Sequence, residues 1–481
     1  MNYKMTAYVL GKMLGVEALV LCIPAAVSLI YGETSDMAAF GITSAVLCVF
    51  FLLFGRKKPE NGRIYGKDGL VIVAAAWILW SVFGALPFYL SREIPSYVDA
   101  LFETVSGFTT TGSTILTDIE ALSYGMNFWR CLTHWIGGMG VLVFVMVVTS
   151  LDDKSSMHLM RAEVPGPEAD KLVPKARETA KLLYAMYLAL TVAEIIFLLA
   201  GGMNLYDSII HSFSTAGTGG FANHNSSVAY YDSAYIDGVI TVFMILFGIN
   251  FNFYFLLLMR KPKKAMKNKE VRCYLAIIAI TISIITFNIR GLYPSIMEAF
   301  QQAAFQVGSI ITTTGFATTD FNTWPQVSRT ILVMLMFVGA CAGSTGGGIK
   351  VSRFVILLKT VNKELHLFLH PKGVRKISMD GKVVEHEVVR SINVFMTAYV
   401  LVFAFSILLV GFDNHDLITN FTAVAATLNN IGPGLELVGP SQNFGLFSDP
   451  AKCVLIFDML AGRLELFPLL LLFVKDTWKR F

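Results

Sequence analysis

Long apolar runs recur from one end of this 481-residue chain to the other, separated by short polar stretches. A run of about 18 or more apolar residues can cross the ~30 Å hydrocarbon core of a bilayer at ~1.5 Å per residue. Ten such spans are read, near 6–30, 38–55, 69–90, 127–150, 181–203, 235–259, 273–290, 328–358, 391–411 and 451–475. Between them lie four apolar segments too short to cross, near 97–109, 205–217, 295–312 and 415–428. Each is followed by a stretch rich in Gly, Thr or Asn, the pattern of a half-helix that enters the bilayer and returns as irregular backbone. The expected fold is an all-α integral membrane protein with ten transmembrane helices. Four helix–re-entrant loop–helix units (67–151, 181–260, 272–358 and 390–481) surround one central pore, preceded by a two-helix hairpin, 1–66.

The first run, from Met1 to Ile30, is longer than the apolar part of a signal peptide and shows no small-residue cleavage site, so it reads as a first span. Composition agrees. The chain is 55% hydrophobic and 15% charged, with mean hydropathy +0.61; a soluble domain carries about 25% charged residues. Cys22, Cys48, Cys131, Cys273, Cys341 and Cys453 stand singly with no CxxC pair, so neither a metal site nor a disulfide framework is expected.

Net charge is only +4, and its distribution matters more than its size. Segments 56–67, 151–181, 260–272 and 350–390 carry 5, 6, 7 and 9 Lys or Arg. With the termini they hold 32 of the 38, which places both termini and these segments in the cytoplasm and brings the half-helices in from outside. The exceptions are Arg92, Arg130, Arg290, Arg329, Lys452 and Arg463. Outer segments are acidic (Asp99, Glu103, Asp118, Glu120, Asp232, Asp237, Asp320, Asp416, Glu436). They form either a cation-concentrating vestibule or the ordinary polar surface of outer loops. Nothing points to a nucleic-acid partner.

The four short segments align. SGFTTTGST (106–114), STAGTGGFA (214–222), SIITTTGFA (309–317) and ATLNNIGPG (426–434) each place a small residue six positions before a glycine: Gly112, Gly220, Gly315 and Gly432. Because Gly219 adjoins Gly220, the register of the second is open by one residue. Internal repetition of this kind specifies architecture. Irregular backbone at membrane depth is tolerated where it lines a cavity or is buried in protein. Four such loops on one axis would present rings of carbonyls that replace the hydration shell of a monovalent cation. Glycine permits the dihedrals that aim a carbonyl inward, and each half-helix points its negative end at the ion. The threonines 109–111 and 312–314 offer either hydroxyl ligands or β-branched packing. No HExxH, GxSxG or midplane carboxylate cluster supports an enzyme.

VSGFTTTGSTIL, GGFANHNSS, ITTTGFATTDF and LNNIGPGLE, with HWIGGMGVLVF and AGSTGGGIK, resemble the TrkH/TrkG–KtrB–HKT superfamily of K⁺ transporters over nearly the whole chain. The leading helix pair resembles the TrkH/TrkG branch, since the KtrB branch lacks it. The resemblance implies K⁺ coordination by the backbone at and just before the four glycines. The residues concerned are Thr110, Thr111, Gly112, Gly219, Gly220, Thr314, Gly315, Asn430, Ile431 and Gly432. It also implies a homodimer in the bacterial inner membrane and a cytosolic TrkA-like regulatory subunit that binds the nucleotide; this chain itself holds no cofactor beyond K⁺. The filter is degenerate, with Asn429-Asn430-Ile431 in place of threonines, so one K⁺ site with moderate Na⁺ rejection is expected. Glycine at 112, where Na⁺-carrying plant relatives have serine, favours K⁺.

Two features read as a gate. Arg463 falls inside the last apolar span, where a charge costs roughly 2.5–3.5 kcal/mol on insertion scales. It is either pore-facing, as the resemblance implies, or paired with Asp458 or Glu465. Gly339-Ala-Cys-Ala-Gly343-Ser344-Thr345-Gly346-Gly347-Gly348 interrupts the eighth span. At about 1 kcal/mol per glycine this run does not hold a helix, and it either lines a cavity beneath the filter or admits a neighbouring helix. It is not a P-loop, because no GK[ST] follows. Glu194 and Glu17 lie within apolar runs. Glu194 alone leaves K⁺/H⁺ or K⁺/Na⁺ coupling open against channel-like flow. His134, His211 and His224 show no ligand spacing and read as structural.

Overall fold

The computed structural model describes residues 1–62, 64–140 and 176–479, and it is helical apart from a two-stranded hairpin at Ser378–Met379 and Lys382–Val383. Among the described residues, six helices are long and apolar enough to cross a membrane. They are Tyr3–Tyr31, Thr34–Gly55, Gly66–Ser91, Glu178–Ala200, Lys269–Ile289 and His386–Asp413. The pair Ala234–Phe247 and Phe251–Leu258, bent by 90°, makes a seventh if its two halves count as one broken span. The first two make the N-terminal hairpin, and the next four open the four repeats.

The hairpin closes through glycine. A Cβ on Gly11 would stand 2.6 Å from the Gly55 nitrogen, so only bare backbone allows this crossing. The hairpin packs on Gly66–Gly84 and on Tyr124–Met139. At its turn the Glu33 carboxylate accepts from the N–H groups of Tyr124 (2.7 Å) and Gly125 (2.9 Å). A carboxylate there satisfies donors that a helix N-terminus leaves free.

Each repeat contains a short buried helix where one was expected: Tyr97–Phe108, Leu205–Gly217, Ile296–Ile311 and Leu417–Leu428. Their starts are written locally. Ser96, Asn204, Ser295 and Asp416 are the N-caps, each accepting from the N–H three residues on.

The helices that follow do not run as continuous spans. Tyr124–Met139 ends at Gly140, and the rest of the expected span 127–150 lies outside the described residues. Ala234–Phe247 bends at 248–250, Gln326–Phe337 gives way to a loop before Val351–Leu369, and Asp449–Arg463 stops at 464–466. Glu465 (φ 52°) and Leu466 (φ 68°) are left-handed there. Arg463 is therefore the last residue of a helix, not a mid-helix residue as the sequence suggests. The described interruptions come together: Gly140, Phe251, Gly343 and Leu464 border one cavity.

Candidate functional site

The loops after the four short helices repeat one backbone conformation. Gly112, Gly220, Gly315 and Gly432 have φ of 80°, 78°, 87° and 104°. Two residues earlier, Thr110, Thr218, Thr313 and Asn430 are also left-handed, at 55°, 55°, 59° and 55°. In every repeat the residue before the glycine donates its N–H at 2.8 Å to the carbonyl six positions before the glycine: Thr111 to Ser106, Gly219 to Ser214, Thr314 to Ser309 and Ile431 to Ala426. This explains the small residue at that position, which closes a tight turn at a helix end. Gly220 takes the left-handed position in the second repeat, and Gly219 holds the place of Thr111 and Thr314.

The loops meet in a ring. A Cβ on Gly112 would lie 1.9 Å from the Gly219 carbonyl oxygen; on Gly220, 2.1 Å from that of Thr314; on Gly315, 2.1 Å from that of Ile431; and on Gly432, 2.9 Å from that of Thr111. Each repeat thus sets the carbonyl before its glycine against the glycine of the preceding repeat, and the series closes from the first back to the fourth. A space of about 140 Å³ opens outside this ring, bordered by all four glycines.

Side chains hold the ring from behind. The Thr111 and Thr109 hydroxyls lie 2.7 Å apart, as do those of Thr314 and Thr312. Thr109 and Thr312 donate back to Val105 and Gly308 at 2.7 Å. These hydroxyls therefore brace the wall. Asn430 donates to the Thr111 hydroxyl and to the Met459 carbonyl, both at 2.9 Å, and Ser113 donates to the Gly432 carbonyl at 2.9 Å. His134 packs behind Gly219, and His224 stacks on Tyr230 with centroids 3.4 Å apart.

Every seam between repeats carries a polar tie. Arg130 donates to the Ala222 carbonyl at 2.9 Å, Gln301 to Asp237 at 2.8 Å, Arg329 to Glu436, and Lys452 to Asp99 at 2.5 Å. Three of the cations that break the cytoplasmic charge rule are used here. Their acids, Glu103, Asp99 and Glu436, are ion-paired, which corrects the expectation that these three contribute free charge to an acidic vestibule.

Segment 343–348 lies directly under the ring. The Gly347 N–H donates to the Thr313 hydroxyl at 2.6 Å. A Cβ on Gly347 would meet the Asn429 carbonyl at 2.7 Å, and one on Gly346 the Thr312 carbonyl at 3.1 Å. The bend at 248–250 receives the loop, with the Phe251 N–H donating to the Gly343 carbonyl at 3.0 Å and the Cys341 N–H to that of Gly248 at 3.1 Å. Thr345 and the Ser344 turn are held in the same fold of chain, where Thr345 donates to the Phe247 carbonyl at 3.2 Å and Ser344 to that of Cys341 at 2.7 Å. Gly348 is left-handed (φ 65°).

Arg463 reaches this loop. Its guanidinium donates to the carbonyls of Thr345 (2.9 Å), Gly138 (2.8 Å) and Gly137, and to the Thr110 hydroxyl (3.2 Å). Asp458 instead accepts from Ser406 at 2.6 Å, and Glu465 pairs with Arg353. Both acids offered as partners for Arg463 are thus engaged with other residues.

Two residues of the loop's support were not singled out from the sequence. Lys350 donates to the Gly346 and Gly347 carbonyls. Glu270 accepts from the Ala342 N–H at 2.8 Å and the Ser352 N–H at 3.0 Å, stapling both stems of the loop. Its only sequence signal is an acid inside the basic segment 260–272. Arg463, Lys350 and Gly346 border a cavity of about 80 Å³ below the ring.

A helical membrane protein built around a four-part ring of carbonyls and glycines belongs with ion transport proteins and not with enzymes. The chain is a member of the TrkH family: the family description, a cation transport protein, matches residues 38–479. It is 36% identical over 485 residues, covering 100% of both chains, to the Trk system potassium uptake protein TrkH of Salmonella typhimurium. Identity to the Trk system potassium uptake protein TrkG of Escherichia coli is 33% over 487 residues, 99% of each. The crystal structure of the potassium transporter TrkH from Vibrio parahaemolyticus superposes with a TM-score of 0.90 at 34% identity, covering 100% of each chain.

Proposed function

We propose that this chain takes up K⁺ across a bacterial cytoplasmic membrane through a channel-like pore whose narrowest part is the ring at Gly112, Gly220, Gly315 and Gly432. The observation that carries this is the closed series of carbonyls from Thr111, Gly219, Thr314 and Ile431, each set against a neighbouring glycine. Carbonyls in that density replace an ion's hydration shell, and related proteins are named for potassium uptake. In this reading the chain crosses the membrane ten times in the units 1–66, 67–151, 181–260, 272–358 and 390–481. The short helices re-enter from outside, and both termini lie in the cytoplasm, as the Lys and Arg distribution supports.

Flow is down the electrochemical gradient, and segment 343–348 with Arg463 closes the pore from below. The protein works as a homodimer under a cytosolic TrkA-like nucleotide-binding subunit; the relatives' name, a Trk system, supports a multicomponent assembly. The basic segments 260–272 and 350–390 offer it a docking face. One observation favours a second reading, coupled transport: Glu194 is fully buried on the first helix of repeat two. Reversal potentials in proteoliposomes separate the two. A potential that follows the K⁺ gradient alone supports the channel, and one displaced by a pH or Na⁺ gradient supports coupling.

A further inference from the structure

The four loops share one backbone, but what stands behind them differs. Nine positions before each ring glycine is a buried residue of the short helix: Glu103, His211, Gln306 and Ala423. Only the first is a carboxylate. Glu103 accepts from the Thr114 hydroxyl (2.9 and 3.0 Å to its two oxygens), from the Ile115 N–H at 3.0 Å and from Arg130 Nε at 2.5 Å. Thr114 and Ile115 follow Gly112 by two and three residues. Arg130 in turn donates to the Ala222 carbonyl at 2.9 Å, and its guanidinium lies 3.6 Å from the centroid of the Phe221 ring. Those residues follow Gly220 by two and one.

Glu103 and Arg130 are 1% and 2% exposed. Buried charges hold their place only when paired and fully hydrogen-bonded, and such networks are rigid. In repeat three the equivalent residue makes a neutral version of the same link, Gln306 to Thr318 at 3.4 Å, three residues after Gly315. Ala423 has no polar group to offer. The link behind the loop is thus charged in the first repeat and neutral in the third; in the second, His211 bonds the Asp207 carbonyl of its own helix instead, and in the fourth the position is apolar.

We infer that Glu103 and Arg130 form a positioning pair that fixes the spacing of the first and second loops and so sets the discrimination between K⁺ and Na⁺. Neither touches the ion. They act through the outer limbs of the two loops, holding Thr111 and Gly219 at the separation a larger, less strongly hydrated cation requires. A loop freed on this side closes around Na⁺ more readily, because selectivity in such a ring depends on how firmly the carbonyls keep their spacing.

This inference rests on the reading of the ring as the ion filter, so the experiment carries a control for that reading. K⁺ and Na⁺ uptake are measured side by side in proteoliposomes holding equal amounts of monodisperse protein. The variants are wild type, Gly112→Ser, Thr114→Val, Glu103→Gln and Glu103→Ala. Thr114→Val is nearly isosteric, removes the hydroxyl that bonds Glu103 and accepts from the Leu116 N–H, and leaves the ion pair intact, so it cuts the tie between the pair and the first loop even if Glu103→Ala does not fold. The K⁺/Na⁺ ratio is expected to fall by about twofold or more in Thr114→Val and further in Glu103→Ala. Glu103→Gln, which still accepts from the Ile115 N–H, keeps more of the ratio than Glu103→Ala. If Gly112→Ser lowers the ratio and Thr114→Val does not, the pair is packing alone and the inference fails. If Gly112→Ser also leaves it unchanged, the filter reading itself fails.

Discussion

Arg463 donates to the carbonyl of Thr345 at 2.9 Å, bonding the helix Asp449–Arg463 of the fourth repeat to the loop that crosses beneath the ring. The same guanidinium reaches the Thr110 hydroxyl at 3.2 Å, two residues before Gly112. One side chain therefore joins the foot of the first loop of the ring, the end of the helix at Gly137 and Gly138, and the proposed gate. It is both a fixed positive charge below the ring and a latch on the segment that fills that space. Lys350 supports the latch from the loop's own stem.

Arg463→Ala should raise uptake in the absence of any partner. A positive charge ~4 Å from a cation's path at an effective dielectric near 20 repels it by roughly 4 kcal/mol. If about a third of that acts on the rate-limiting step, the change is about tenfold. Loss of the bond to Thr345 acts in the same direction. Rb⁺ uptake by reconstituted protein measures it. Reduced uptake by folded variant protein would show that the arginine is needed to build the pore.

Removal of two or three residues from 343–348 should give a pore that conducts by itself, because this segment lies against Thr313 and Asn429 directly beneath the ring. The segment has few side chains of its own and is held by borrowed bonds, so a modest differential affinity of a partner can shift it. Equal Rb⁺ uptake by wild type and shortened protein would place the gate elsewhere.

Glu270→Ala tests the same loop from its stems. It leaves the buried N–H groups of Ala342 and Ser352 without their acceptor, at a cost of about 1–3 kcal/mol each. Basal Rb⁺ uptake should rise several-fold, while Glu270→Gln, which retains an acceptor oxygen, should stay near wild type. Identical uptake by the two variants would argue against a stapling role.

Outside the membrane, burial pushes the Glu93 carboxyl up to about 7, with the nearby Asp36 acting in the same direction. It accepts from the Ser123 N–H, the cap of the helix Tyr124–Met139. A carboxyl whose pKa is raised by folding costs no stability below its unfolded value near 4.5 and progressively more as pH rises through 7. Wild type should therefore lose thermal stability relative to Glu93→Gln as pH increases across that window. Parallel melting curves from pH 4.5 to 7.5 would remove Glu93 as the cause.

Much of this was legible in the sequence because it was local. The four short helices lie within a residue or two of their expected places. Their caps at Ser96, Asn204, Ser295 and Asp416, and the small residue six before each glycine, are short-range signals. The glycine-rich loop broke its helix as its composition required. The bend at 248–250 was not legible, because a single glycine in an apolar run reads as continuous helix and the turn is set by the loop packed against it. The end of the helix at Arg463 was likewise hidden, since the left-handed residues Glu465 and Leu466 carry no glycine signal. The ion pairs were beyond reach for another reason. Lys452 and Asp99 are 353 positions apart, so pattern identifies a misplaced lysine without naming its partner.

The central claim is that the ring at Gly112, Gly220, Gly315 and Gly432 selects the ion. A Cβ on Gly112 would stand 1.9 Å from the Gly219 carbonyl, at a residue whose φ of 80° disfavours any side chain. Gly112→Ser must therefore displace one of the four carbonyls. The decisive measurement is the ratio of K⁺ to Na⁺ uptake in proteoliposomes by wild type and Gly112→Ser, each verified as folded. The account predicts K⁺ preference in the wild type and a clear fall in the variant. An unchanged ratio in a folded, conducting variant would contradict it.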